Sequence, residues 1–260
     1  MGAQLFAREF QHQVQDDSAS AFRYEWLQRA MERGKQLSMY EIPAIKRLEI
    51  VQGWDFSLVQ NVAQAEARDT DFTVGTTWAR DLDTGDHYLL GLWRKRGLTP
   101  AQLKLAVIEE YDRFRGRVSQ IAVERNAFGE MHYVGLKQST DLPIVPHLTT
   151  GAKKADPWSG VVSLSVLFEN EKVILPTRTP RDQRTIEPLV NELWGLGREK
   201  HDDTVLSLWI AHSVLRRERF AHCYVDSLGR QFDESGDVIE DENDHELDGW
   251  WASITNYEIH

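Results

Sequence analysis

The chain has 260 residues, 41% of them hydrophobic and nine of them Trp, which allows a sizeable core and excludes wholesale disorder. Its single cysteine, Cys223, excludes an intramolecular disulfide and a Cys-based zinc cluster. No apolar run approaches the roughly 20 residues that span a bilayer, and the N-terminus lacks the long apolar core of a secretory signal. We therefore expect a soluble, intracellular protein with no membrane partner.

The net charge of −11 is concentrated at the C-terminus. Residues 218–260 contain twelve Asp or Glu and two Arg, a local charge of −10, so residues 1–217 are close to neutral. A strongly acidic chain argues against a nucleic-acid partner, but a near-neutral body can still present a basic strip to phosphate. We interpret 218–260 as an acidic C-terminal extension.

The first predicted strand follows a polar segment. Residues 1–47 are polar with scattered aromatic residues, and we interpret them as an N-terminal connecting segment that contributes little core. From Leu48, apolar residues recur at every second position, which predicts a strand. This period places Trp54 and Phe56 on one face and Asp55 on the other. Acids are depleted from strand interiors, which makes Asp55 a candidate functional residue.

Two further strands, 72–79 and 87–94, are joined by the turn 81–86, where Gly85 can take a positive φ at little cost. They extend the first strand into a three-stranded meander.

The next two elements are a helix and a fourth strand. The helix begins at Thr99, which forms a capping box with Gln102 and has Pro100 at its first position. The strand 118–124 follows, and its parity places Glu124 at the carboxyl end, on the face opposite Ile121 and Val123.

Helices and short strands alternate in the rest of the chain. The predicted elements are a strand at 144–148, a helix opened by Asp156 and Pro157, a strand at 173–176, and helices at 187–196 and 202–217. A meander followed by this alternation predicts an α/β fold with a mixed central sheet and helices on both faces. Ligands of open α/β sheets gather beyond the carboxyl ends of the strands.

The last predicted helix begins with two adjacent carboxylates, Asp202 and Asp203, ahead of a strongly apolar run. One Asp can cap the free amides of the first turn, which leaves the other without a folding role. Because the first and fourth strands are neighbours in the predicted sheet, Asp55 and Glu124 are expected beside this pair. Each acid alone also has a structural interpretation, as a strand end or a helix cap.

A cluster of carboxylates without His or Cys donors predicts a site for Mg²⁺ or Mn²⁺ rather than zinc. Such ions relieve the mutual repulsion of the acids, which would otherwise raise their pKa values. Two ions about 4 Å apart can activate a water and stabilise the leaving oxygen of a phosphodiester. The predicted chemistry is therefore that of a metal-dependent nuclease.

These residues resemble the nuclease domain of the terminase large subunit of tailed bacteriophages, which has the ribonuclease H-like (RuvC/integrase) fold. The resemblance covers roughly 48–217, which we therefore interpret as a ribonuclease H-like nuclease domain. It is carried by the segments 53–57 (GWDFS), 71–75 (DFTVG), 121–129 (IAVERNAFG), 149–154 (TTGAKK), 167–170 (LFEN), 175–176 (LP) and 201–208 (HDDTVLSL).

The resemblance implies that Asp55, Glu124 and Asp203 are the catalytic, metal-binding triad, with two ions held in all. It implies that Asp202 is a helix cap or an auxiliary metal ligand. Asp71 is an outer acid or, more simply, a loop residue, and His201 receives no role.

Three basic residues are expected near DNA phosphate by the same resemblance, namely Lys153, Lys154 and Arg125; for the lysines, a solvated loop is the alternative. The implied function is cleavage of concatemeric phage DNA during genome packaging, with little sequence preference. The implied partners are double-stranded DNA, the portal, the small terminase subunit and a terminase ATPase domain, in the cytoplasm of the bacterial host.

One departure from the family pattern is the absence of a G-x-x-x-x-G-K-[ST] phosphate loop. Residues 1–47 resemble the tract that joins the ATPase and nuclease domains, so we expect an excised nuclease domain or a nuclease-only protein. Two other functions stay open: a ribonuclease H-like junction resolvase, and an interaction module that docks on a portal or motor through its acidic tail with latent nuclease activity.

Overall fold

A computed structural model describes residues 20–57, 71–125, 129–156, 159–198, 201–219, 224–225 and 231–232. The chain divides into two compact units, Met1–Leu215 and Arg216–His260. Among the described residues, every helix is too short or too polar to cross a membrane. The second unit contains a two-stranded antiparallel pairing of 224–225 with 231–232.

The first unit is built on a six-stranded sheet in the order β5-β4-β1-β2-β3-β6. Strands β1, β2 and β3 form an antiparallel meander, β4 pairs parallel with β1, β5 parallel with β4, and β6 parallel with β3. This arrangement confirms the predicted mixed sheet. The strands are β1 Leu48–Asp55, β2 Thr73–Asp81, β3 His87–Lys95, β4 Val118–Glu124, β5 Ile144–His147 and β6 Val173–Ile174.

Helices cover both faces of this sheet. Alternate residues of β1 and β4 enter two different hydrophobic clusters: Val51 and Ala122 lie in one, and Ile50 and Ile121 in the other. The helices are α1 Tyr24–Arg33, α2 Ile42–Ile45, α3 Pro100–Asp112, α4 Gly129–Ser139, α5 Gly151–Ala155, a 3₁₀ turn Val161–Leu164, α6 Ser165–Glu169, α7 Pro180–Trp194 and α8 Asp203–Arg219. Helices α1, α7 and α8 pack on the first cluster, and α3 packs on the second.

Two capping boxes fix the starts of α3 and α7. The predicted box is present, with the amide of Gln102 donating to Thr99 Oγ1 at 3.3 Å. A second box was missed because its partner is Asp rather than Glu or Gln: the amide of Asp182 donates to Thr179 Oγ1 at 3.1 Å, and the amide of Thr179 donates to Asp182 Oδ2 at 3.1 Å. Helix α7 therefore begins seven residues before the predicted start at 187.

Two other sequence predictions were wrong in the connections. Asp156 does not open a helix; its carboxylate accepts the amide of Ser159 at 2.6 Å, and regular structure resumes as the 3₁₀ turn at Val161. Pro157 and Trp158 lie outside the described residues. The sequence also predicted no helix between the fourth and fifth strands, where the structure has α4.

The N-terminal segment contributes more core than its polar composition predicts. Phe22, Trp26 and Leu27 are buried in the first cluster, with Phe22 and Leu27 fully inaccessible. The carbonyl of Ala30 accepts the amide of Leu175, just after β6, at 3.0 Å. Helix α1 therefore packs beside the edge of the sheet that β6 forms.

Candidate active site

Helix α8 lies directly on β1 because β1 has a glycine at the crossing point. A Cβ at Gly53 would lie 2.3 Å from the amide nitrogen of Ala211 and 2.3 Å from the carbonyl oxygen of Ser207. Beside this contact, the hydroxyls of Thr76 and Ser207 form a hydrogen bond of 2.6 Å. The close approach of the two backbones directs the first turn of α8 toward the carboxyl end of β1.

The structure brings the three predicted triad acids together at this end of the sheet. Asp55 ends β1 and Glu124 ends β4, and the two strands pair in parallel with Trp54 opposite Val123. Asp203 is the first residue of α8. The three side chains come from remote parts of the chain, yet their residues are only 8%, 6% and 6% exposed.

The charges of both other acids act on Asp55. Burial raises the pKa of Asp55 well above its ordinary value, and the charge of Glu124, a hydrogen bond with Glu124 and the charge of Asp203 raise it further. A hydrogen bond between two carboxyl groups requires a proton on one of them. The metal-free site is therefore a set of crowded acids that favours an added positive charge.

Asp203 is held by backbone as well as by its helix. Its Oδ2 atom accepts a hydrogen bond of 2.9 Å from the backbone amide of Phe72, which is the residue just before β2. Burial raises the pKa of Asp203, the Phe72 amide opposes this shift, and the charge of Asp71 adds to it. The carboxylate is thus fixed to the sheet at a point far from it in sequence.

The first turn of α8 is capped by a residue that the sequence did not indicate. Glu192 of α7 accepts the amides of Thr204 at 2.7 Å and Val205 at 3.4 Å. The sequence prediction assigned this role to one of the two aspartates. Asp202 instead lies exposed, and its backbone carbonyl accepts the first helical amide, that of Leu206, at 2.9 Å.

His201 and Asp71 lie on the other flank of Asp203. His201 Nδ1 lies 3.5 Å from Asp71 Oδ1 and 3.7 Å from Asp203 Oδ2. Arg96 Nη2 lies 3.2 Å from His201 Nε2, and because a guanidinium only donates, Nε2 accepts and the ring proton of a neutral His201 is on Nδ1. His201 Nδ1 therefore lies near both carboxylates, at distances longer than the usual hydrogen bond of about 2.7–3.2 Å.

One possible metal-ligand atom each from Asp71, His201 and Asp203 lies within 4.8 Å of the other two. Among the described residues, this is the one group of three His, Cys, Asp or Glu side chains that lie this close. A cation at His201 Nδ1 would require the other tautomer and loss of the Arg96 bond. The sequence left His201 without a role because its place at a helix start gave no sign of the Arg96 contact.

Of the three basic residues expected near DNA, Lys154 reaches the acids. Its Nζ lies 4.0 Å from Glu124 Oε1, and its charge lowers the pKa of Asp55 against the larger effect of burial. Lys153 lies on the same short helix, α5, and its amide is capped by Thr150 Oγ1 at 3.2 Å. Arg125 is exposed, and its guanidinium lies 5.8 Å from the ring centroid of Tyr133.

The raised pKa of Asp55 predicts an unusual pH dependence for the metal-free protein. Because its pKa is higher in the folded state, its contribution to stability is fully present below the unfolded pKa of about 4 and is lost as the pH rises through the raised value. We expect Asp55→Asn to raise the melting temperature of the metal-free protein at neutral pH, with the difference vanishing toward about pH 4. Scanning calorimetry with a chelator present, from neutral pH down to about pH 4, measures this difference in melting temperature.

Asp81 provides the matched control at the end of another strand. It is buried, and its carboxylate forms a salt bridge of 2.9 Å with Lys46 Nζ. Burial raises the pKa of Asp81, but the hydrogen bonds from Lys46 and from the amide of Asp83 outweigh burial. The pKa of Asp81 is therefore held below its ordinary value. Asp81→Asn should therefore lower the melting temperature at neutral pH, with the loss shrinking as the pH falls. A lower neutral-pH melting temperature for Asp55→Asn would contradict the assignment of Asp55 as a crowded acid.

Comparison with known proteins places this chain in a family. The family model described as "Terminase RNaseH-like domain" matches residues 52–213, more than half of the chain, and this range contains all three acids. No curated protein matches the chain by sequence.

Several solved structures are similar at low identity. The large terminase nuclease from thermophilic phage G20c is 20% identical over 65% of this chain and 84% of its own, with a TM-score of 0.45. The P22 large terminase nuclease domain is 14% identical over 77% of both chains, with a TM-score of 0.38. The Fowlpox virus resolvase, solved with Holliday junction DNA, is 9% identical over 65% of this chain and 98% of its own, with a TM-score of 0.39.

The family match over residues 52–213 decides the assignment. On that match, the chain belongs to the terminase RNase H-like domain family, as a nuclease domain of the terminase large subunit type.

Proposed function

We propose that the chain is a metal-dependent DNA endonuclease in which Asp55, Glu124 and Asp203 hold the cations. The observation that carries the proposal is the convergence of these three buried carboxylates at the carboxyl ends of two parallel strands. Ligand sites of α/β sheets lie at this edge. The membership of the chain in a terminase nuclease family supports the same reading.

The donor set fits Mg²⁺ or Mn²⁺. All three side chains offer carboxylate oxygens, the ligands that these hard cations prefer. The raised pKa values of Asp55 and Asp203, caused first by burial, mean that ionised acids at this site need a compensating charge. When two such ions are bound, they supply an activated water and stabilise the leaving oxygen of a phosphodiester.

The protein's own residues set the geometry of this site. Asp55 is affected by the charges of both Glu124 and Asp203, so the three carboxylates would hold the cations together. The exposed Asp202 is an auxiliary ligand in this proposal. Lys154 partly neutralises the acids in the metal-free protein, and Lys153, Lys154 and Arg125 are proposed to contact DNA phosphates.

The proposed biological role is the cutting of concatemeric phage DNA during genome packaging in the bacterial host cytoplasm. Its proposed partners are double-stranded DNA, the portal, the small terminase subunit and a terminase ATPase domain. Most of the acidic extension, proposed earlier as a docking tail, lies outside the described residues, so that role stays a prediction.

Cleavage of supercoiled plasmid by the full chain tests the proposal. We expect nicked and linear products with Mg²⁺ or Mn²⁺ and none in excess EDTA, because the acids alone supply no nucleophile of suitable strength. Full cleavage in EDTA would overturn the metal dependence. A preference for four-way junctions over linear duplex, measured with matched labelled substrates, would replace the packaging role with that of a junction resolvase.

A further inference from the structure

Glu192 is a buried carboxylate that joins three elements around Asp203. It is 5% exposed and lies on α7, near its carboxyl end. Its Oε2 atom accepts the two first-turn amides of α8, and its Oε1 atom accepts Thr204 Oγ1 at 2.9 Å and Arg94 Nη2 at 2.9 Å. Both oxygens are thus engaged by donors, as a buried carboxylate requires.

The Arg94 contact closes a ring of interactions that returns to Asp203. The guanidinium carbon of Arg94 lies 3.4 Å from the ring centroid of Phe72, a close cation–π contact. The amide of the same Phe72 donates to Asp203 Oδ2. Glu192 therefore fixes Asp203 from two directions, through the helix that starts at Asp203 and through the backbone that holds its carboxylate.

We infer that Glu192 is a positioning residue, which sets the place of Asp203 for cation binding without being a ligand itself. This inference rests on the proposed function and deepens it. A negative charge at the first turn of α8 also complements the positive end of the helix dipole, so the carboxylate suits both of its partners, the helix start and Arg94. Groups that orient metal ligands from behind change metal affinity or activity by about 10–100-fold when they are altered.

The experiment compares Glu192→Gln with a matched control, Glu110→Gln. Glu110 is 9% exposed, lies on α3 and is bonded to Arg113 Nη1 at 2.5 Å, so it is a second buried glutamate with an arginine partner. Helix α3 packs on the cluster at the opposite face of the sheet from α8. The control therefore reports the general cost of neutralising a buried glutamate.

Three readouts distinguish a positioning role from a general contribution to the stability of the fold. By calorimetric titration of the full chain, Glu192→Gln should bind Mn²⁺ about 10–100-fold more weakly than Glu110→Gln, and its kcat on plasmid should fall while its KM for DNA stays unchanged. In the metal-free protein, hydrogen exchange of the Thr204 and Val205 amides should be faster in Glu192→Gln than in the control.

If Glu192→Gln does not fold, Arg94→Met and Thr204→Val each remove one contact of Glu192 and should still weaken Mn²⁺ binding. Mn²⁺ affinity within twofold of Glu110→Gln, with kcat equally preserved, would overturn the inference while leaving the nuclease intact. If the wild-type chain itself neither binds Mn²⁺ nor cuts plasmid, the proposed function fails, and the inference fails with it.

Discussion

Asp55→Asn will lose Mg²⁺- or Mn²⁺-dependent cleavage of plasmid DNA by at least about a thousandfold, since metal-ion stabilisation of a transition state is worth several kcal/mol and about 1.4 kcal/mol is a factor of ten. The loss is this large because Asp55 interacts with both Glu124 and Asp203, and removing its charge takes one of the three proposed cation ligands away. Initial rates of nicking at saturating metal measure it.

The control for this result is Asp81→Asn, which neutralises another buried aspartate at a strand end but keeps the three acids. It should cut DNA at a wild-type rate at temperatures below its melting transition. At neutral pH, Asp55→Asn should therefore raise the melting temperature of the metal-free protein and lose cleavage. Asp81→Asn should lower the melting temperature and keep cleavage. An Asp55→Asn protein that keeps full metal-dependent activity would remove Asp55 from the catalytic mechanism.

Gly53→Ala will both destabilise the protein and disable the site. Its Cβ would lie 2.3 Å from backbone atoms of Ser207 and Ala211, which cannot rotate away as a side chain can, so α8 must move off β1. Overpacking of this kind costs about 1–3 kcal/mol or more, and a shift of about 1 Å in a positioned group can cost about a hundredfold in rate. Urea unfolding measures the first effect, and Mn²⁺ titration with plasmid cleavage measures the second.

Gly91→Ala is the matched control on β3. Its Cβ would meet Arg113 Nη1 at 3.5 Å and the Thr77 side chain at 3.7 Å, which are ordinary van der Waals contacts. We expect the free energy of unfolding of this variant to lie within about 1 kcal/mol of the wild-type value, as is usual for substitutions that create no core defect. We also expect it to cleave DNA normally. Equal stability and activity of the Gly53 and Gly91 variants would contradict the close packing of α8 on β1.

The sheet and its candidate site were largely readable from strand parity. The alternation in β1 and β4 placed Asp55 and Glu124 on the face that α8 covers, and the order of elements made these strands neighbours. Strand parity identifies these acids because different helices bury the two faces of β1 and β4. A carboxylate at the end of such a strand is therefore distinct from its apolar neighbours. The roles of the three acids remain proposals.

The contacts that support Asp203 were beyond sequence reasoning for a physical reason. Glu192, Arg94 and Phe72 come from three different elements, and each has an ordinary local interpretation as a helix or strand residue. Their hydrogen bonds and stacking depend on side-chain positions that only packing fixes. The same holds for the position of His201 near Asp71 and Asp203.

Residue periodicity alone predicted the strands, the adjacency of the first and fourth strands, and two carboxylates at the start of a buried helix. The packing of α8 is what makes Asp203 buried and Asp202 exposed. Helix α8 is apolar around most of its circumference, so it has no polar stripe to set its rotation. Its rotation is set by the backbone contact at Gly53, where Ser207 and Ala211 lie four and eight residues after Asp203 and share its face of the helix.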